Sequence, residues 1–295
     1  MKETVMANIF DIYLLEALIN GVLLGGVLGL LALGLNLIFG VIDVVWICYA
    51  ELIMIGMYAV YYLHVSFGWP LLAAMLAGVL IVALSGMALH QFVIRPVLAA
   101  EPINQLLVTG GVLFFLQAAA TLAFGIEFKN LGITFPPIVV GEISFSMPRL
   151  IAFGVALAGM LGMYLLLTRT YIGTAIRAIS QDRAIMPLMG VNPSRIYLVT
   201  SALGGGLAGL GSCLLVLQYD IHPAIGLSFG PITFLICVLG GLGNMAGGFI
   251  AAFIFAQFIS VGGFFLAVEW GYVIAFLFFI GVMFWRPQGI LGGKQ

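Results

Sequence analysis

The chain contains 295 residues, of which 63% are hydrophobic and 7% are charged, and its mean hydropathy is +1.25. This composition excludes an ordinary soluble domain, in which about 25% of the residues are charged. The net charge is −1 and the sequence has no basic run, so nothing in it indicates a nucleic-acid partner.

Continuous apolar runs recur along the whole chain. A run of about 20 apolar residues spans the hydrocarbon core of a membrane as a helix. Every backbone polar group in lipid needs an internal partner, so a spanning segment is a helix or part of a closed barrel. Barrel strands alternate apolar and polar residues, and these runs do not. The sequence therefore predicts an all-α, polytopic transmembrane helical bundle that forms one domain over 1–295.

The predicted spans alternate with short polar connections. In chain order they cover about 13–39, 47–66, 70–93, 103–125, 149–168, 196–218, 231–264 and 269–285. The seventh is too long for one crossing and contains GGLGNMAGG (240–248), in which five of nine residues are glycine. Glycine disfavours a continuous helix, so we predict a break there. The number of spans is eight, or nine if the piece before the break crosses fully.

The distribution of lysine and arginine predicts the orientation. Cytoplasmic connections of membrane proteins are enriched in these residues. With the C-terminus and the connection 169–195 inside, seven of the ten lie in the cytoplasm: Arg95, Arg169, Arg177, Arg183, Arg195, Arg286 and Lys294. The connection 126–148 is then periplasmic, and its alternating pattern predicts a short surface hairpin.

The basic connection 169–195 has more structure than a topology signal needs. Residues 173–189 predict a short helix with one apolar face, formed by Ala175, Ile176, Ile179, Ala184 and Leu188. Pro187 and Gly190 are stop signals, and Asn192 followed by Pro193 starts the next span. We expect Arg177, Asp182 and Arg183 to be exposed, for a cytoplasmic partner. The alternative is a solvated loop that only sets the orientation.

Four motifs resemble those of the permease subunits of branched-chain amino acid ABC importers. The first is GTAIRAISQDRAIMPLMGVNPSRI, which matches that family's cytoplasmic coupling loop at Gly173, Arg177, Ala178, Asp182, Met189, Gly190, Val191 and Asn192. The others follow in the family's order: RPV (95–97), VLGGLGNMAGG (238–248) and RPQGILG (286–292).

The resemblance implies an importer built from several chains. It implies a second permease subunit, identical or related, two cytoplasmic ATPase subunits and a periplasmic solute-binding protein, in a bacterial inner membrane. The coupling loop, including Arg183, would contact an ATPase. The chain lacks a G-x-x-x-x-G-K-[ST] phosphate loop, so ATP would be bound by the partners and no cofactor by this chain. We expect no enzymatic activity of its own.

The predicted translocation pathway includes Trp46, Tyr49, Glu51, Gln117 and Asn244. The second span of the resembled family begins Asn-Phe-Ala-His-Gly-Glu, and here it reads WICYAE, with only Glu51 retained. A carboxylate within a span costs about 2.5–3.5 kcal/mol and is normally buried against a partner or water. Glu51 either pairs with a backbone donor, lines the cavity or lies close enough to the interface to be solvated. For Gln117 and Asn244, a bond to a neighbouring helix is the main alternative.

The predicted function is inward movement of a small polar or zwitterionic solute by alternating access. One rival is a secondary transporter driven by an ion gradient, for which Glu51 would be the coupling site. A membrane-embedded enzyme is the other, but His64, His90 and His222 are scattered near span ends. Cys48, Cys213 and Cys237 lack metal-ligand spacing, so we predict no metal site.

Overall fold

The computed structural model describes residues 2–133, 135–140, 143–183 and 185–292. The helices in these ranges are α1 (Lys2–Ile42), α2 (Tyr49–Tyr61), α3 (Leu71–Leu89), α4 (Arg95–Val97), α5 (Pro102–Phe124), α6 (Met147–Arg169), α7 (Tyr171–Gln181), α8 (Pro193–Leu215), α9 (Ile225–Gly240), α10 (Met245–Phe265) and α11 (Val268–Trp285). Five-residue π-helical segments, Tyr62–Ser66 and His90–Ile94, extend α2 and α3.

The predicted all-α polytopic bundle is confirmed. Six helical segments are long and apolar enough to cross a membrane: Tyr13–Ile42, Leu71–Val97, Pro102–Phe124, Met147–Arg169, Pro193–Leu215 and Met245–Phe265. The shorter helices α2, α9 and α11 complete the set, so each predicted span corresponds to an observed helix and the broken one to two. Their alternating directions place the ends of α1, α3, α6, α9 and α11 together, at what we call the basic end because the described arginines other than Arg149 lie there.

Helix α1 is the centre of the bundle, since it packs against α6, α8, α9 and α10. Small residues let these backbones approach, as expected where lipid provides little hydrophobic drive for helix association. A side chain at Gly25 would lie 2.9 Å from the ring of Phe253, and one at Gly205 would lie 2.8 Å from the Val82 carbonyl oxygen. These contacts are consistent with a packing role for Gly25 in α1 and for Gly205 in α8.

The connection from α1 to α2 runs back into the bundle. It turns at Asp43, which has a left-handed φ of 62°. The Thr109 hydroxyl of α5 then donates to the Val45 carbonyl at 3.1 Å, and the Tyr49 hydroxyl donates to the Leu31 carbonyl at 3.1 Å. Leu31 lies about three turns before the end of α1. Helix α2 therefore begins inside the bundle, at a depth that the sequence pattern did not reveal.

The predicted glycine-rich break is confirmed, although it is shorter than predicted. Helix α9 ends at Gly240 and α10 begins at Met245, so Gly247 and Gly248 belong to α10. The Asn244 side chain caps α10 by accepting from the Gly247 amide at 2.9 Å. The cap explains why two more glycines do not prolong the break, since it satisfies an amide at the helix start that lacks an intrahelical partner.

Replacing Gly243 with alanine is expected to lower the free energy of unfolding by about 1–3 kcal/mol. Gly243 has a φ of 80°, and an added Cβ would lie 3.1 Å from the Gly40 Cα. Thermal unfolding in detergent measures the change. The control is Gly162→Ala in α6, where no neighbouring atom lies within 4 Å of the added Cβ. Equal stability of the two variants would contradict the prediction.

The connection 169–195 differs from the single predicted helix. Helix α7 ends at Gln181 rather than near Met189, because Asp182 adopts an extended conformation with φ −149° and ψ 107°. A separate 3₁₀ turn covers Met186–Met189, and Gly190 follows with a left-handed φ of 80°. The Asn192 side chain caps α8 by accepting from the Ser194 amide at 3.1 Å, as predicted.

The apolar face of α7 was predicted only in part. Ala175, Ile176 and Ile179 are buried, as expected for a face packed against the bundle. Leu188 is 85% exposed, so its assignment to that face was wrong. The reason is that the helix has already ended, and the 3₁₀ turn does not continue its periodicity. Ala184 lies outside the described residues.

The predicted hairpin in 126–148 is confirmed. Strands β1 (Ile138–Val140) and β2 (Ile143–Phe145) pair antiparallel, with Ile138 opposite Phe145. Upstream, Lys129 forms a bridge with Ile221, the residue of the α8–α9 connection that it faces. These contacts join two connections at the end of the bundle opposite the basic end.

Candidate functional site

At the basic end, α7 folds back against α6. Gly173 is buried against the backbone of Leu166 and Leu167, so no side chain fits at this position. The Thr170 hydroxyl caps α7 by accepting from the Gly173 amide at 3.0 Å. Ala178 is partly buried, whereas Arg177 on the same helix is exposed. The fold-back therefore positions Arg177 on the outer side of α7.

Arg183 makes contacts that sequence reasoning did not anticipate. Its guanidinium donates to the Ile42 carbonyl at 3.2 Å and lies 3.7 Å from an oxygen of the Asp43 carboxylate. Ile42 is the last residue of α1, where a cation interacts favourably with the unpaired carbonyls and the helix dipole. Arg183 is partly exposed, as predicted, but it joins the 169–195 connection to the start of the segment 43–48.

The same connection carries exposed apolar side chains. Leu188 is 85% exposed, Met189 is 71% exposed, and Tyr171 and Ile185 are also exposed. We call these four residues and Arg177 the coupling surface. Exposed apolar groups together with an arginine are typical of protein–protein interfaces. Asp182 is less available, because its carboxylate accepts from the Ile185 amide at 3.2 Å.

A cavity of about 340 Å³ lies where α2 begins. Trp46 and Tyr49 contribute to its wall, together with residues of α5 and α9: Leu106, Leu113, Leu227, Gly230, Pro231 and Phe234. The Tyr49 hydroxyl is not free for a ligand, because it donates to the Leu31 carbonyl. The replacement of polar residues in WICYAE thus accompanies a cavity with an apolar wall.

Glu51 is fully buried next to this cavity, in the first turn of α2. Neither carboxylate oxygen has a hydrogen-bond partner among the residues described. Its Oε1 faces α9, since a Cβ at Gly226 would lie 2.8 Å from it. Gly226 belongs to the first turn of α9, where the helix dipole favours a negative charge. None of the three predicted environments is observed among the described residues: Glu51 is not solvated, its carboxylate has no backbone donor, and it is not among the residues that line the cavity.

Gln117 lies on another cavity, of about 500 Å³, further along α5. Thr121, Phe128 and His222 are on the same wall. Burial lowers the pKa of His222, and the nearby Asp220 opposes this change. The wall thus offers an amide, a hydroxyl and an imidazole between the Trp46 cavity and the end opposite the basic end.

Asn244 lies apart from both cavities, at the basic end. Its amide nitrogen donates to the Leu291 carbonyl at 2.8 Å, and its oxygen caps α10. The bond goes to the segment that follows α11 and not to a neighbouring helix, so that alternative was wrong in its partner. Among the lining residues of the two cavities, Asn244 does not occur.

Sequence reasoning missed Asn36 and Thr109. Asn36 is fully buried in α1 and accepts from the Gly243 amide at 3.1 Å, which ties the break to the central helix. Thr109 holds the segment 43–48 through Val45. A lone asparagine in a long apolar run was the available signal, because polar residues within spans normally bond to a neighbouring helix.

Comparison with known proteins agrees with this architecture. Residues 17–283 match the family model described as branched-chain amino acid transport system / permease component. The chain is 28% identical to the high-affinity branched-chain amino acid transport system permease protein BraD of Pseudomonas aeruginosa, over 95% of this chain and 96% of that protein. It is 27% identical to the permease protein LivH of Escherichia coli K12, over 96% and 97%.

A partial match extends to an archaeon. The probable branched-chain amino acid transport permease protein LivH of Methanocaldococcus jannaschii is 30% identical over 140 residues, which is 45% of this chain. The family model covers most of the chain, from α1 to α11. The chain therefore belongs to the family of permease components of branched-chain amino acid transport systems.

Proposed function

We propose that this chain is the membrane-spanning permease subunit of an ATP-driven ABC importer, which moves a small polar or zwitterionic solute inward by alternating access. The observation that carries the proposal is the coupling surface, an exposed apolar and basic patch on a chain of this family. The names of the relatives BraD and LivH suggest a branched-chain amino acid as solute. The chain itself would perform no covalent chemistry.

The distribution of arginine supports a location in the bacterial inner membrane with the basic end and the C-terminus in the cytoplasm. ATP would be bound and hydrolysed by two partner subunits at the coupling surface, and this chain would hold no cofactor. A second permease subunit, identical or related, would complete the pathway. A periplasmic binding protein would deliver solute at the opposite end, where the 126–148 connection lies.

The contacts of Arg183 provide a route from the ATPase to the pathway. Movement of the 169–195 connection would pull on Asp43 and the end of α1 through this guanidinium. Asp43 begins the segment 43–48, which contains Trp46 and leads into α2. Glu51 lies in the first turn of α2. Closure of the ATPase subunits would in this way reach the cavity through the six residues of the segment 43–48.

Replacing Arg183 with alanine is expected to uncouple the importer. The coupling surface stays intact, so the ATPase subunits still bind, but transport per ATP hydrolysed falls by about tenfold because the connection to α1 is lost. The measurement is uptake and phosphate release in the same proteoliposomes. Arg195→Ala is the control, since Arg195 is exposed in the same connection and its guanidinium has no bond to a described residue. Equal uncoupling by both variants would contradict this route.

Uptake of labelled leucine into proteoliposomes tests the proposed function. The complex is reconstituted with ATP inside and a leucine-loaded binding protein outside, corresponding to the cytoplasmic and periplasmic sides. Uptake that requires ATP and persists after ionophores collapse all ion gradients supports the importer. Uptake that needs no ATP and stops with the ionophores would support the secondary transporter, for which the buried Glu51 carboxylate is the candidate coupling group.

A further inference from the structure

A cavity of about 320 Å³ opens at the end of the bundle opposite the basic end. It lies among α1, α6, α8, α10 and α11, and none of its lining residues contributes to the Trp46 cavity or the Gln117 cavity. Its volume is at the lower limit of the range for small-molecule sites, about 300–1,000 Å³. The cavity therefore shares no lining residue with those two cavities and is large enough for one small ligand.

Two opposite charges face this cavity without forming a pair. Glu16 of α1 and Arg149 of α6 both line it. Arg149 donates from one guanidinium nitrogen to the Asn20 amide oxygen at 2.9 Å. Glu16 makes no ion pair or hydrogen bond with any part of the chain that the structure describes. A carboxylate and a guanidinium on the walls of one small cavity are thus both available to a ligand.

Tyr219, which follows α8, also lines this cavity near Arg149. Burial raises the pKa of Tyr219, Tyr272 adds to the rise, and the positive charge of Arg149 opposes it. Two other polar groups at the cavity already have partners: the Ser260 hydroxyl donates to the Ala17 carbonyl at 2.6 Å, and the Gln218 amide donates to the Leu214 carbonyl at 3.2 Å. The cavity thus offers a carboxylate and a guanidinium beside the hydroxyls of Tyr13, Tyr219 and Tyr272.

The wall becomes apolar with depth. Along α1 the lining residues are first Tyr13, Glu16 and Asn20, and then Leu24 and Val27 one and two turns further into the bundle. A ligand with charges at one end and an aliphatic group at the other would match this order. The aliphatic group would be buried, and the charged groups would stay at the mouth of the cavity, where water still hydrates them.

We propose that this cavity binds a zwitterion with an aliphatic body, with the ligand's ammonium group on Glu16 and its acidic group on Arg149. Two sources share this chemistry: a free amino acid with an apolar side chain, and the ethanolamine phosphate headgroup of a phospholipid. The proposal concerns equilibrium binding outside the pathway and does not depend on ATP-driven transport.

Equilibrium dialysis of the purified chain, with its co-purified subunits but without nucleotide or binding protein, tests the first source. The probes are labelled leucine, leucine amide, which lacks the carboxylate, and 4-methylpentanoate, which lacks the ammonium group. Each analogue is expected to bind about tenfold more weakly than leucine, because each leaves one charged protein group without its partner. These comparisons use the unmodified protein, so no variant needs to fold.

Glu16→Gln and Arg149→Gln are each expected to weaken leucine binding by about tenfold. Glu101→Gln, at an exposed position of the basic end, is the control and should leave binding unchanged. Leucine binding that is lost in Trp46→Phe, in the Trp46 cavity, but kept in both charge variants would place the leucine in the pathway and overturn the proposal.

Native mass spectrometry of the complex in nanodiscs tests the second source. Retention of one phosphatidylethanolamine per chain in preference to phosphatidylglycerol, lost in both charge variants, would identify the lipid headgroup as the occupant. If neither leucine nor phosphatidylethanolamine binds, or if both charge variants bind normally, the site does not exist. Neither result bears on whether ATP drives transport. A negative result would therefore reject this binding site without rejecting the proposed importer function.

Discussion

The double substitution of Leu188 by aspartate and Arg177 by glutamate is expected to abolish co-purification of the ATPase subunits. Both side chains are exposed on the coupling surface, and the bundle does not depend on them. A central interface residue contributes about 2 kcal/mol or more, so each change should weaken binding at least about tenfold. The measurement is a pull-down in detergent after co-expression with the neighbouring genes of the operon.

The sharpest control is a matched pair at exposed positions of the opposite end. Ile126→Asp and Arg149→Glu make the same kinds of change far from the coupling surface and should leave the ATPase subunits bound. Asp182 is left unchanged, because its carboxylate holds the turn at Ile185. If the coupling-surface variant still retains the ATPase subunits, the 169–195 connection is only a topology signal.

Replacing Glu51 with leucine is expected to have opposite effects on stability and on transport. The buried carboxylate has no partner, so removing it should raise the free energy of unfolding by about 1–3 kcal/mol. Transport should fall to background, because a residue retained at such a cost within a span is normally functional. Thermal unfolding and leucine uptake, measured on the same preparation, report the two effects.

The comparison with Glu101→Leu isolates the effect of burial. Glu101 is exposed before α5, so its replacement should change neither stability nor uptake. Normal uptake by Glu51→Leu would remove Glu51 from the pathway. A lower unfolding temperature for Glu51→Leu would mean that the carboxylate stabilises the fold, and the interpretation of Gly226 as a close neighbour of an unpaired charge would be wrong.

Helix ends were accessible to sequence reasoning where a local signal exists. Asn192 and Pro193 start α8 as predicted, since a cap and a first-turn proline act within a few residues. The end of α7 was missed because the pattern of apolar residues continues past Gln181 as far as Leu188. There the carboxylate of Asp182 turns the chain by accepting the Ile185 amide, which competes with helix continuation.

The sequence by itself determined the class of fold, the approximate number of spans and the place of the break, because long apolar runs in lipid permit only helices and a cluster of glycines interrupts them. It also indicated the family, through four motifs in order. Only the tertiary structure decided which side chains meet. Arg183 contacts α1, Asn36 holds Gly243, and Glu51 faces Gly226. Each of these contacts joins residues far apart in sequence and depends on which helices are neighbours. Local patterns in a uniformly apolar chain do not specify the neighbours of a helix.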